Sequence, residues 1–437
     1  MRVQRSALKN ISIKKNAWFS DEDVALQFPD NWIINVFGDQ YLPALSDTEI
    51  NDRLDEPIEC LPLSALAEEK KSAIILVDDI SRPTPVAKIL QNVIERLTRV
   101  GFPLMGIKIL IANGSHKQPT AEEILSKTGS GIPKGIEIIT HDCKNDCVWI
   151  EKTSLGTPIY INKHVIEAEL KIGIGGIYPH PIAGFSGGNK ILALGAAGLD
   201  TIRVLHDQRR GDNLRTGEID HPFRREINEI AKAAGMDFIV NVTINQNRQI
   251  SGVFAGHPEK AFHQAVDVAR KNYSISVDNK ADVVIVDMYP FDLDFQFAFD
   301  RGLWPFEYSL KNSLKIILAD CPKRIGDHEL FPVSNPFLIR LKRRIINYKF
   351  HDLFHFSDRL HSLNRLIWRR RLNAFIVSQF ISDRELRDVI PKGKVIKDWE
   401  SMLQLLTKKY KGQSNIQLAF YLTAPLMLLS EEEISNE

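Results

Sequence analysis

The sequence predicts an α/β protein made of two α/β domains with largely parallel sheets and an active-site cleft between them. Two observations carry this. Continuous apolar runs of strand length alternate with helical stretches, and the runs fall into two groups along the chain. A third observation concerns ligands: polar residues stand just past the carboxyl ends of the first group, the edge where open α/β sheets bind them.

In chain order, SDTEIND at 46–52, which opens the acidic stretch from Asp47 to Glu59, reads as a capped helix start. Residues 72–77 (SAIILV) read as a strand buried on both faces and end in Asp78 and Asp79. The SRPTP run at 81–85 breaks the chain, and residues 86–100 have helical apolar spacing. Residues 106–112 form a second strand, ending in Asn113, Gly114, Ser115 and His116. A helix follows from Thr120 to Thr128, then a third strand at 136–141 that ends in His141 and Asp142. The second group begins near Lys280, with strands at 281–287, 313–319 and 373–378, and the helical stretch 260–272 bridges the groups. These readings place a cofactor-binding and catalytic domain at 1–272, which the segment 410–437 could complete. A domain at 273–409 would close over the substrate.

Composition bounds the function. The 437 residues carry 56 Lys plus Arg against 55 Asp plus Glu, so the basic excess of a nucleic-acid binder is missing. Four cysteines (Cys60, Cys143, Cys147, Cys321) are too few for a disulfide framework and fit a reducing compartment. No apolar export signal follows the basic N-terminus, and the most apolar late stretch, 416–429, contains Pro425 and falls short of the about 20 residues a membrane span needs. A cytoplasmic protein without a membrane span is expected, with 416–429 a buried strand or helix.

Chemistry concentrates in residues 171–206. Eight of the chain's 25 glycines lie at 173, 175, 176, 184, 187, 188, 195 and 198, so backbone can approach a ligand closely and aim amides at an anion. This is no Walker loop, because Asn189 separates Gly188 from Lys190 and Ile191 follows. Among the glycines stand His180, Ser186, Lys190 and His206. Histidine exchanges protons near neutral pH and ligates metals, and lysine can hold a phosphate or attack a carbonyl-type centre. Each also has an ordinary reading, as a loop residue, a solvated cation or a helix-end residue.

Four blocks together resemble the nickel-pincer-dependent lactate racemase family: DDISRPTP at 78–85, ANGSHK at 112–117, PHPIAGFSGGNK at 179–190, and the sixteen-residue step from Lys190 to His206. A weaker block is YPFDLDFQ at 289–296, with Ala319, Asp320 and Cys321 downstream. The resemblance implies a racemase or epimerase that inverts C2 of a 2-hydroxy acid by reversible hydride transfer. The cofactor it implies is a nickel-pincer nucleotide, a pyridinium thioamide/thiocarboxylate mononucleotide tethered at Lys190, with His206 as the protein's nickel ligand. His116 and His180 would be the acid/base pair, each serving one enantiomer. Arg82 would steady a substrate oxygen, with Asp79 orienting Arg82 or the cofactor. Gln296 would contact substrate, and the turn containing Gly184, Ser186, Gly187 and Gly188 would accept the nucleotide phosphate. The partners it implies are the small 2-hydroxy acid and the cofactor-biosynthesis proteins of the nickel-pincer pathway.

The chain departs from the lactate-specific pattern, which has Tyr-Gln and then Lys three residues after Gln. Here Phe295 precedes Gln296 and Phe299 occupies the lysine position. Losing a cation at a carboxylate contact weakens lactate binding, since charge-assisted hydrogen bonds are the strong ones. Phe295 and Phe299 would share a helix face, either packing a core or shaping a pocket for a bulkier or more apolar substrate. An alternative function is a non-catalytic binder or carrier of the cofactor or another mononucleotide. Cys143 and Cys147 make a poor zinc signature. Residues 340–371, with ten Lys or Arg against two Asp, suggest a solvated face or an anionic contact.

Overall fold

A computed structural model describes residues 8–38, 42–208, 215–277, 280–326 and 371–430. The chain divides into two compact units, each built on a six-stranded sheet. The basic stretch from 340 lies outside the described residues up to Arg371.

The unit spanning 42–272 has the strand order Ile250–Gly256, Phe238–Ile244, Leu170–Gly176, Ala73–Asp78, Ile107–Ala112, Glu137–Thr140. All neighbours are parallel except the first two, which pair antiparallel. Ala73–Asp78 is buried at every position and feeds two cores. Ile75 and Val77 enter one and Ile74 and Leu76 the other, as the two-residue period of a strand requires. Helix Val86–Arg99 covers the first of these cores with Val86, Ile89, Leu90, Val93, Ile94 and Leu97, all buried and all on one stripe. Helix Ala121–Thr128 starts on a Thr120/Glu123 capping box, and helix Asp47–Asp55 on a Ser46/Glu49 one.

Chain order places the site. From Ala73–Asp78 the chain moves outward to Ile107–Ala112 and Glu137–Thr140, then returns to Leu170–Gly176 on the other side of the first strand. The crevice of such a sheet lies at that reversal, beyond the carboxyl ends of Ala73–Asp78 and Leu170–Gly176. Asp78, Asp79 and the glycine-rich segment stand at those two ends.

The other unit orders its strands Lys394–Ile396, Ala374–Val377, Leu314–Leu318, Val283–Asp287, Gln417–Tyr421, Ile33–Phe37, all parallel. An antiparallel hairpin, Leu8–Lys15 with Glu22–Pro29, belongs to the same unit. The division therefore differs from the expected 1–272 and 273–409 at both ends of the chain. Ile33–Phe37 pairs with Gln417–Tyr421, which in turn pairs with Val283–Asp287, so the residues described before 39 and after 409 complete the second sheet and not the first. Composition could not show this, because the partners are separated by nearly the whole chain. Among the described residues, no helix is long and apolar enough to cross a membrane.

Candidate active site

At the carboxyl end of Ala73–Asp78 the two aspartates take separate roles. Asp78 pairs with the ammonium of Lys127, accepts from the Thr84 hydroxyl, and receives the Gly176 amide at 3.4 Å. Lys127, on helix Ala121–Thr128, is 1 % exposed and donates to the carbonyls of Arg82 (2.9 Å) and Thr84 (3.2 Å). Burial pushes the Asp78 carboxyl up and the Lys127 ammonium down, each opposed by the attraction of the other. This buried pair pins the loop that carries Arg82. Lys127→Met should cost about 3–5 kcal/mol in urea denaturation, because Asp78 stays buried without its partner. Adding Asp78→Asn should recover part of that loss; strictly additive costs would show that the pair is not the reason.

Asp79 faces the site. Its Oδ1 accepts from the Ser81 amide (3.1 Å) and the Ser81 hydroxyl, and its Oδ2 meets Nδ1 of His116 at 2.5 Å. Ser81 Oγ in turn accepts from Nη1 of Arg82 at 3.0 Å. Burial alone would raise the Asp79 carboxyl, but the charge and hydrogen bond of His116, the Arg82 guanidinium and the Ser81 hydroxyl hold it well below the usual carboxylate range. Asp79 is thus an anion that orients both Arg82, through Ser81, and His116. His116 is itself held on its loop: its amide donates to Asn113 O, and Asn113 Nδ2 donates to its carbonyl. Gly114, at φ +55°, lets this loop touch Leu194, whose carbonyl oxygen a Cβ would meet at 2.7 Å.

His180 sits on a two-strand hairpin, Pro179–His180 with Gly184–Phe185. It is 8 % exposed, and its Nδ1 accepts the amides of Ile182 and Ala183, both at 3.1 Å. Arg224 of helix Pro222–Ala233 bolts the hairpin from behind, donating to the carbonyls of Ala183, Phe185 and Gly187 and lying 4.4 Å over the Phe262 ring. Burial lowers the Arg224 guanidinium to about 9.

The glycine turn proves to be closely packed by protein. Gly184 at φ +70° abuts the Glu218 carbonyl, and Gly188 at φ +59° abuts Phe262. Gly187 leaves no room for a Cβ beside Ile177. The Gly188 amide donates to Asn241 Oδ1, and the Ser186 hydroxyl takes the Tyr178 amide and donates to the Gly176 carbonyl. These contacts give Gly184, Ser186, Gly187 and Gly188 packing reasons that are independent of any phosphate. Lys190 follows as the first residue of helix Lys190–Ala193, half-buried, with Asn189 before it tied to Asn228.

His206 lies in helix Leu199–Gln208 and directs Nδ1 to the Ile202 carbonyl at 2.7 Å. That bond puts the proton on Nδ1 and leaves Nε2 as the nitrogen with a lone pair, the form a metal ligand needs. Among the described residues, no three His, Cys, Asp or Glu side chains gather to hold a metal ion.

In the other unit, Gln296 is half-buried on helix Phe295–Gly302. Phe295 and Phe299 lie in that unit's core, 0 % and 5 % exposed, with rings 5.6 Å apart, so their spacing serves core packing. Sequence reasoning did not find Ser81, Lys127, Arg224 or Asn241. Ser81 stood within a quoted block; the other three are single polar residues with no motif around them.

The family model described as the lactate racemase N-terminal domain matches residues 19–217. The lactate racemase of Thermoanaerobacterium thermosaccharolyticum is 30% identical over 312 residues, 69% of this chain and 72% of that protein. That of Lactiplantibacillus plantarum is 32% identical over 286 residues, 64% of this chain and 67% of that one. The solved lactate racemase apoprotein from Thermoanaerobacterium thermosaccharolyticum superposes with TM-score 0.71 over 97% of this chain and 100% of that chain, at 24% identity. A crystal structure from Thermotoga maritima gives TM-score 0.59 over 89% of this chain and 98% of that one, at 16% identity. Both structures show likeness of fold.

Proposed function

Because the chain belongs to the lactate racemase family, we propose that it inverts C2 of a 2-hydroxy acid, with a lysine-tethered nickel-pincer nucleotide as cofactor. The observation that carries the reading is the Arg82–Ser81–Asp79–His116 chain of contacts at the reversal of the sheet. Lys190 would hold the cofactor and His206 would bind its nickel through Nε2; the tautomer of His206 fits that ligand role. When bound, the group supplies a hydride acceptor, a task no side chain can perform. The chain's own residues handle the rest. Arg82 holds a substrate oxygen, and Asp79 keeps the His116 imidazole turned so that Nε2 faces the hydroxyl. His180 meets a second oxygen. The proposal extends to a cytoplasmic location and to loading by the cofactor-biosynthesis proteins.

A substrate other than lactate fits better, because the position of the lactate-type lysine is Phe299, buried in an apolar core with no ammonium to offer. The test is a panel of single-enantiomer 2-hydroxy acids with protein shown by intact mass to carry the cofactor. Inversion of at least one other acid on the panel should exceed that of lactate, because an apolar core side chain stands where the lactate-type ammonium would. Loaded protein that inverts no acid on the panel would leave a cofactor carrier and end the racemase reading.

A further inference from the structure

Arg224 is a cation removed from water without a counter-charge. It is 2 % exposed, no carboxylate among the described residues pairs with it, and its buried Nε meets no acceptor there. Such a group lowers stability unless its hydrogen bonds offset the loss of water. Those bonds all go to one short segment. Nη2 donates to the carbonyls of Ala183 (2.7 Å) and Phe185, and Nη1 to that of Gly187 at 3.4 Å. These are alternate residues of the stretch that runs from His180 to Lys190, the two groups at its ends that the racemase reading makes reactive. Ala183 connects the guanidinium to the ring, since its carbonyl accepts from Arg224 while its amide donates to His180 Nδ1 at 3.1 Å. Gly187 connects it to the other end: the next amide, that of Gly188, is bound to Asn241 Oδ1, and Lys190 opens its helix two residues later. The Phe262 ring closes the far side of the guanidinium and is also the ring that leaves Gly188 no room for a Cβ.

We infer that Arg224 is a positioning residue: through the Ala183, Phe185 and Gly187 carbonyls it holds the hairpin of His180 and the turn before Lys190 in one fixed relation. The inference rests on the racemase reading and adds to it a residue that acts only through backbone. The segment has other supports, because the Gly184 carbonyl accepts the Gly217 amide at 2.9 Å and Pro179 pairs with Phe185. Replacing Arg224 should therefore loosen the segment and leave its fold in place. Lysine keeps the charge at 224 but is a point charge on a flexible stem, without the planar fork that reaches three carbonyls at once.

Two measurements test it. The first takes kcat per loaded protein, with an acid that the parent inverts and loading read by intact mass. Arg224→Lys should unfold in one cooperative transition like the parent, yet lose about 10²-fold in kcat with KM little changed, the scale of a misplacement of about 1 Å. Millimolar guanidinium should restore part of kcat to Arg224→Ala and methylammonium none, because only the planar ion reproduces the fork. A folded, loaded Arg224→Lys whose kcat stayed within about twofold of the parent would overturn the inference. The second measurement needs no cofactor: hydrogen exchange followed by mass spectrometry. Peptides covering 179–190 should exchange at least about tenfold faster in Arg224→Lys, while those covering 170–176 exchange as in the parent. Unchanged exchange at 179–190 beside an active parent would sink the inference alone. A loaded parent that inverts no acid would end the racemase reading, and the inference with it, whatever the exchange.

Discussion

Lys190→Ala should leave the protein folded and without any covalent cofactor. The residue begins helix Lys190–Ala193, whose Ile191, Leu192 and Ala193 are buried, and the preceding turn is fixed by the Gly188–Asn241 and Asn189–Asn228 bonds. Those bonds are made by Gly188, Asn189 and their partners, and alanine is the best helix former, so Lys190→Ala should still unfold in one cooperative transition. Intact mass of protein from cells that make the cofactor is the readout. Parent protein should carry an adduct with stoichiometric nickel, whereas Lys190→Ala and Lys190→Arg should carry none, because arginine keeps the charge but not the nucleophilic amine. C2 inversion should vanish with the adduct. An adduct that persisted in Lys190→Ala would place the tether elsewhere and remove the main chemical role assigned to the glycine-rich segment.

The second large effect is expected at Asp79. Asparagine has nearly the same shape, but its Oδ1 and Nδ2 cannot both accept, as the carboxylate does from Ser81 and His116. Where an amide nitrogen faces Nδ1, the imidazole is driven to the tautomer with its proton on Nε2, which cannot take the substrate's proton. The fall in kcat should be on the order of 10³–10⁴, as for loss of the orienting aspartate in other histidine-based sites, with KM little changed. A fall of less than about tenfold would mean that Asp79 does not set the tautomer. The sign of the pH effect follows from the depressed Asp79 carboxyl. Its contribution to stability is present above the unfolded value of about 4 and is lost as pH falls toward the folded one. Asp79→Asn should therefore flatten the acid side of the parent's stability curve. Since Asp79 stays ionised well below neutrality, the acid limb of the activity profile belongs to another group.

The sequence made some features legible because the physics behind them is local. The apolar runs ending in Asp78 and Ala112 became adjacent parallel strands within a residue of their expected bounds, and Ser46 and Thr120 cap helices as their spacing with Glu49 and Glu123 implies. Asp79, Arg82 and His116 were legible by block resemblance, and the structure brings them within hydrogen-bonding reach through Ser81. Long-range packing was not legible. Lys127 looks like any helix-surface lysine until tertiary contacts bury it over Asp78, and Arg224 gives no hint that it serves three carbonyls of one hairpin. The glycine cluster was read as space for a ligand, yet at 184, 187 and 188 most of that space is taken by neighbouring protein atoms. Tautomers were also out of reach, since they depend on which backbone groups face each imidazole nitrogen.

The pairing of Ile33–Phe37 with Gln417–Tyr421 has a consequence for how the chain is made. Among the described residues, the 42–272 unit is one continuous stretch of sequence, and the other unit is drawn from the sequence on both sides of it. Once residue 272 is synthesised all six strands of the 42–272 sheet exist, while the other unit's sheet still lacks five of its six. Ile33–Phe37 emerges among the first strands and its partner among the last. At about 5–20 residues per second, the early strand waits on the order of tens of seconds with its backbone edge unpaired. The half-synthesised chain thus holds one unit with its sheet complete and another with an early strand unmatched, for an interval set by the speed of translation.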